Sequence, residues 1–185
     1  GAVRSRLGSE LGLATPGEFR FCWVVDFPLF EKNEETGNWE PAHHMFSMPQ
    51  DRFLPTLEKN PGEVLGDLYD MVLNGVELAS GSVRIHDPEI QSRIFKIVGF
   101  PEKVAEERFG FLLEAFRYGA PPHAGLAVGF DRLVMVMAQV ETIRDVIAFP
   151  KNTQGISPMD ESPSKVDAQQ LADLKLAIVM REDQD

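Results

Sequence analysis

Four groups of residues in this chain have types and spacing that chemistry uses. The first is Gly125-Leu126-Ala127-Val128-Gly129-Phe130-Asp131-Arg132, followed by the apolar run Leu133 to Met137. Apolar residues and glycines leading into an acid and an arginine predict a strand that runs straight into a buried helix. Glycine weakens a strand interior, so Gly125 and Gly129 suggest that another group approaches the backbone closely, as a nucleotide base lying against a sheet would. Arg132, at the start of the helix, can offer its planar fork to a phosphate in a bidentate pair. The same spacing serves equally well for a core strand and helix whose glycines relieve crowding.

The second group is Asp70 and Glu77, on either side of Asn74-Gly75. Asn-Gly between apolar runs predicts a two-residue hairpin, because both central residues of a type I′ turn need positive φ. In that hairpin Leu73 faces Val76 and Val72 faces Glu77, and Asp70 shares the face of Val72, diagonal to Glu77. Two carboxylates on one face repel unless a cation joins them. Magnesium, bound by one or two carboxylates plus phosphates, suits such a pair; two solvated acids on an exposed face fit the hairpin as well. The third is Arg84. It stands seven residues beyond Glu77, so a regular strand sets the two on opposite faces, and a shared site requires a bulge or bend near Gly81. The fourth is His43-His44. Adjacent side chains on a strand point to opposite faces and cannot readily share one ion, so one packed and one exposed histidine is the favoured reading.

The elements that must position these groups follow from pattern and punctuation. Residues 1–12 predict a short amphipathic helix with Val3, Leu7 and Leu11 on one side, and Thr15-Pro16-Gly17 a turn. Phe21 to Asp26 reads as a buried strand, with Cys22 packed inside it. Asp87-Pro88-Glu89 is a helix start, with an N-cap acid, a proline in the first turn and a second acid favoured by the dipole. Ile90, Ile94, Ile97 and Val98 form that helix's apolar face. A second helix from about Pro101 aligns Phe109, Leu112, Leu113 and Phe116, a stripe expected to pack on a sheet. Residues 151–165 read as a loop, followed by a last helix from Asp167 to about Met180 and a charged tail to Asp185. Short strands, one hairpin and helices predict an α+β fold, a mostly antiparallel sheet flanked by helices.

Composition narrows the function classes. A length of 185 residues with 43% hydrophobic content fits one domain with a substantial core. No apolar run is long enough to span a membrane and no signal peptide is visible, so no membrane partner is expected. A single cysteine excludes an internal disulfide framework and suits a reducing, cytoplasmic setting. The net charge of −11, from 29 acids against 18 bases, argues against gripping a nucleic-acid backbone by charge alone.

Five ordered blocks carry a family resemblance: "DFPLFE" at Asp26–Glu31, "HHMFSMP" at His43–Pro49, "NGVELASGSVRIHDPEIQ" at Asn74–Gln91, "FGFLLEAFRYGAPPHAG" at Phe109–Gly125 and "IRDVIAFPK" at Ile143–Lys151. With the Gly125–Arg132 stretch, which resembles motif 3 of class II aminoacyl-tRNA synthetases, they resemble the bacterial aspartyl branch of that family from about Phe21 onward. The resemblance implies the class II catalytic fold, in part: residues 1–20 as a linker or the edge of a preceding inserted domain, and residues 21–185 as the C-terminal part of the catalytic domain. It implies an aspartate–tRNA ligase that uses ATP to turn L-aspartate into aspartyl-adenylate and then charges tRNA(Asp). It also implies a homodimer when full length and a fragment inactive alone. His43 and Arg84 are then expected at the aspartate, with Arg84 clamping its side-chain carboxylate. Glu77, Gly129, Phe130, Asp131 and Arg132 are expected at ATP, with Arg132 on the γ-phosphate. Asp70 and Glu77 are expected to carry Mg2+. No residue acts as a nucleophile, because the carboxylate of aspartate attacks the α-phosphorus itself. The related enzymes usually carry glycines at 79–81, where this chain has Ala79, Ser80 and Gly81. Two rival readings are a tRNA-independent aspartate–ammonia ligase and a non-catalytic module that retains the fold.

Overall fold

The structure, a computed structural model, describes residues 1–179 apart from 14 and 16. It divides into two units, residues 1–139 and residues 140–185.

The strands of the first unit are β1 (Phe21–Val24), β2 (Phe30–Lys32), β3 (Trp39–Pro41), β4 (Leu68–Leu73), β5 (Val76–Val83) and β6 (Ala124–Val128). Four of them form an antiparallel sheet in the order β1-β4-β5-β6, while β2 and β3 pair as a separate hairpin. The helices are α1 (Ala2–Glu10), α2 (Pro88–Ile97), α3 (Glu102–Arg117) and α4 (Phe130–Ala138), with 3-10 turns at Asp51–Thr56 and Pro61–Glu63. The predicted α+β architecture, an antiparallel sheet with flanking helices, is what the chain adopts.

The central hairpin forms as the Asn-Gly signal requires. Asn74 and Gly75 take φ of 51° and 84°, and Leu73 faces Val76 while Val72 faces Glu77. The pairing then shifts, because Met71 faces Ala79, which leaves Leu78 as the extra residue of a bulge. The predicted irregularity therefore lies at Leu78 rather than Gly81. Gly81 serves close packing instead, since a Cβ there would fall 2.1 Å from the Gly125 carbonyl oxygen and 2.6 Å from the Tyr69 ring. Only glycine lets β5 and β6 lie together at that point.

The core sits between this sheet, the β2–β3 hairpin and α2. Leu29, Phe30, Leu57, Val64, Leu68, Ile85 and Ile94 are all buried in one cluster. Helix α2 begins as its sequence predicts, with the Asp87 carboxylate accepting from the Glu89 N–H at 2.7 Å and Pro88 in the first turn. The stripe of α3 packs against α2 and the 43–47 turn rather than on a sheet. Phe109 meets the rings of Phe46, Phe95 and Phe100 at centroid distances of 5.0–6.3 Å.

Several expected burials are reversed. Strand β1 is exposed along its length, Trp23 at 57%, and Cys22 is exposed with it. No residue of β6 or α4 is buried, although both are strongly apolar. The cause is non-local: β1 and β6 are the outer strands of the sheet. Helix α1 is likewise exposed, with Val3 at 74%, so its apolar spacing has no partner. His43 and His44 lie in a turn, not a strand, and their rings approach to 4.8 Å.

The second unit contains a 3-10 turn at Ile143–Asp145 and one short helix, α5 (Ala168–Asp173), capped by the Asp167 carboxylate, which accepts from the Gln169 N–H. Where described, the predicted last helix is six residues long, and its predicted end at Met180 and the predicted tail Arg181–Asp185 lie outside the described residues. No helix among the described residues is long and apolar enough to cross a membrane.

Candidate functional site

The bulge decides which side chains meet. One extra residue in β5 reverses its alternation, so Glu77 and Ser80 fall on the same side of the sheet instead of opposite sides. Asp70 pairs with Ser80 across the ladder and joins them. A cavity of about 330 Å³ is lined by Asp70, Glu77, Ser80, His43 and Glu31, with Phe27 and Leu68 among its apolar walls. Both expected cation ligands and one of the two expected aspartate contacts therefore share one space. Among the described residues no group of three His, Cys, Asp or Glu side chains is arranged to hold a metal ion. Two carboxylates there would need oxygen ligands from a phosphate or water to complete a magnesium shell.

Arg132, on α4, contacts Glu77, one of the residues lining this cavity. Its Nη1 donates to the main-chain oxygen of Glu77 at 2.7 Å and to the Glu77 carboxylate at 3.3 Å. About half of both side chains stays exposed, so the contact orients the guanidinium without enclosing it. Gly129 caps α4, and its N–H donates to the Leu78 carbonyl at 2.8 Å, which ties the start of the helix to the bulge. Phe130 is 73% exposed and Asp131 lies in the exposed first turn. A Cβ on Gly125 would meet nothing within 4 Å, and one on Gly129 only ordinary contacts. The chain's own packing demands neither glycine. An open strand surface, a half-exposed guanidinium and two carboxylates fit a nucleotide whose phosphates carry a divalent cation.

Arg84 follows β5. It is half-buried, and among the described residues no carboxylate lies within ion-pair distance of it. Residues 46–48 run alongside residues 83–85 through the Met48 N–H to Val83 and Ile85 N–H to Phe46 bonds and the Ser47–Arg84 bridge. Arg84 Nη1 lies 3.2 Å from Nδ1 of His44 and within hydrogen-bond reach of Nε2. Burial, together with the Arg84 charge, lowers the His44 pKa to about 4, so the ring is neutral near pH 7. The turn holding both histidines is pinned by buried Gln91, whose Nε2 donates to the Met45 carbonyl at 2.8 Å.

Asp70, Glu77 and His43, all expected at the site from the sequence, line this cavity, and Arg132 bonds to Glu77; Glu31, Ser80, His44 and Gln91 carry no such signal in the sequence. Gln91 follows the capping signal of α2 closely, which is the one local hint that it faces the core.

Comparison with known proteins closes the question of family. Residues 5–153 match the family model described as tRNA synthetases class II (D, K and N). The chain belongs to that family. Among curated relatives of this class II family, an aspartate–tRNA(Asp/Asn) ligase of Treponema denticola is 65% identical over 178 residues, covering 96% of this chain and 30% of the relative. The protein of the same name from Borreliella burgdorferi is 53% identical over 179 residues, covering 97% and 30%. The chain therefore spans about 30% of the length of these class II relatives. Of solved structures, the aspartyl tRNA synthetase of Entamoeba histolytica matches with a TM-score of 0.55 at 25% identity, over 83% of this chain and 26% of that one. The asparaginyl-tRNA synthetase of the same organism, in complex with asparaginyl-adenylate, gives 0.57 at 19% identity, over 83% and 28%, and shares the class II fold.

Proposed function

We propose that this region forms the C-terminal part of a class II catalytic domain, residues 21–185, with residues 1–20 as a linker or the edge of a preceding inserted domain, in a longer cytoplasmic enzyme. That enzyme activates L-aspartate with ATP and transfers it to tRNA(Asp), and the relatives' name extends the acceptor to tRNA(Asn). The observation that carries the reading is Glu77. Its carboxylate lines a cavity with Asp70 and His43, while its main chain holds the Arg132 guanidinium.

Arg132 neutralises charge on the γ-phosphate, and Gly129, Phe130 and Asp131 shape the nucleotide's seat. Asp70 and Glu77 hold magnesium, which supplies positive charge to the phosphates when bound. Arg84 and His43 hold the aspartate, whose carboxylate oxygen bonds to the α-phosphorus as pyrophosphate leaves. Such a site works by positioning and charge neutralisation. A planar guanidinium matches a carboxylate and is left without a counter-charge by an amide, so Arg84 sets aspartate apart from asparagine.

The test is aspartate-dependent ATP–pyrophosphate exchange in the full-length protein, followed by offering the activated aspartate to tRNA and to ammonia. Exchange with aspartate and transfer to tRNA are expected, and Arg84→Leu should lower kcat/KM for aspartate about a hundredfold while moving the ATP KM far less. Absence of exchange would overturn the enzymatic reading. Transfer to ammonia instead of tRNA would replace it with the amide-forming ligase.

A further inference from the structure

The Arg84–His44 contact has a chemical peculiarity. A half-buried guanidinium ordinarily pairs with an acid, yet Arg84 meets an imidazole and, among the described residues, no carboxylate. We propose that His44 is a positioning residue that fixes the Arg84 fork without neutralising it, so that the positive charge stays free for the carboxylate of the substrate. This rests on the reading of Arg84 as the aspartate clamp.

The geometry supports that division of labour. A guanidinium can only donate, and so can the Phe46 N–H, which reaches His44 Nδ1 at 3.3 Å. Each needs the ring's lone pair, of which a neutral imidazole has one and an imidazolium none, so the Arg84 bond at Nε2 and the Phe46 bond at Nδ1 belong to alternative tautomers of the neutral ring. The ring's own place is set from several sides. The Ser47 hydroxyl lies 3.3 Å from Nδ1 and belongs to a buried residue, the Phe46 ring packs beside it, and Gln91 holds the next carbonyl along. An acid in this position would hold Arg84 as firmly but would occupy the clamp and compete with the ligand. A neutral acceptor orients without competing, and its low pKa, set first by burial and then by Arg84 and His43, keeps it neutral at working pH. His43 stands apart in role, because it lines the cavity while His44 meets the arginine.

The test compares His44→Ala, His44→Gln and His44→Glu in the full-length protein by pyrophosphate exchange, reading the aspartate KM and the ATP KM separately. Loss of the acceptor in His44→Ala should raise the aspartate KM about tenfold, equivalent to about 1.4 kcal/mol. His44→Gln, an uncharged acceptor, should restore it to within about threefold. His44→Glu should raise it about a hundredfold by filling the clamp from within. All three should keep the ATP KM within about twofold, which also reports that the variants fold. A merely structural role would not separate Gln from Glu and would not single out aspartate. Equal aspartate KM values in the Gln and Glu variants would overturn the proposal. Failure of the unaltered protein to exchange would instead overturn the reading of Arg84 on which it rests.

Discussion

Strands β5 and β6 are hydrogen-bonded neighbours from Ala79–Val128 to Val83–Ala124, yet they live in different surroundings. In β5 Leu78, Ala79 and Ser82 are buried, whereas every residue of β6 is exposed. Both strands are rich in small and apolar residues, so composition does not separate them. What separates them is their place in the sheet: β5 lies between β4 and β6, whereas β6 and β1 are its outer strands. The candidate site straddles this boundary, with half-buried Asp70 on the covered side and exposed Glu77 and Arg132 on the open one. Stability and chemistry are thereby separable by mutation, and the covered half should respond to changes that the open half ignores.

The largest effect tests that directly. Ile94, 1% exposed, and Leu126, 42% exposed, are similar in size and hydrophobicity. Ile94→Ala should destabilise the chain by about 2–5 kcal/mol through lost transfer energy and a residual cavity. Leu126→Ala should cost less than about 1 kcal/mol, since its side chain keeps much of its contact with water in the folded state. Urea midpoints of the two variants measure the difference. Equal losses would mean that the open face is covered in solution, and would erase the comparison.

The second contrast sets two glycines of the same ladder against each other, at an intermediate size. Gly81→Ala must push β6 away or bend β5, because its Cβ would lie 2.1 Å from a backbone oxygen. A loss of about 1–3 kcal/mol is expected, as for overpacking in a core. Gly125→Ala meets nothing within 4 Å, so it should leave the urea midpoint unchanged or slightly raised. In the full-length protein the same Gly125→Ala should raise the ATP KM if a base lies on that strand. A Gly125 variant that unfolds the chain would show that its glycine serves packing after all.

These contrasts also show what can be read from the sequence and what cannot. The hairpin is legible because Asn74-Gly75 carries its own backbone requirement, and α2 because Asp87-Pro88-Glu89 caps it locally. Each signal sits within the few residues it organises. The exposure of β1, β6 and α4 is not legible, because an apolar run reports that a surface suits burial, not that something covers it. The bulge falls at Leu78, ahead of the Gly81 that the sequence points to, since a register shift is set jointly with the partner strand. For the candidate site, Asp70, Glu77 and His43 line one cavity, and Arg132 is hydrogen-bonded to Glu77. The role of His44 stays hidden as long as the two histidines are taken to lie on opposite faces of a strand. In the turn they actually occupy, its partner is Arg84, 40 residues away, a distance no local pattern encodes.

The smallest expected effect sharpens the comparison at its charged contacts. In the open region Arg132 touches the Glu77 carboxylate through one nitrogen, at 3.3 Å. In the covered region Arg93 grips Glu58 through two, Nε on Oε1 and Nη2 on Oε2 at 2.8 Å, while Nη2 also donates to the Leu54 carbonyl. That grip fastens the 51–56 turn to α2 and lowers the Glu58 pKa to about 2, chiefly through the Arg93 hydrogen bonds. A carboxylate with a depressed folded-state pKa contributes stability that is fully present above its unfolded value of about 4.5 and is lost as pH falls through about 2. Glu58→Gln should therefore lower the urea midpoint slightly near pH 7 and flatten its acid limb between those two pH values. Because 43% of the Glu58 side chain is exposed, solvent screens the pair, and the difference should stay below about 1 kcal/mol. An acid limb identical in both proteins would mean that Arg93 anchors the turn through the Leu54 carbonyl alone, and that the covered region owes its firmness to packing rather than to charge.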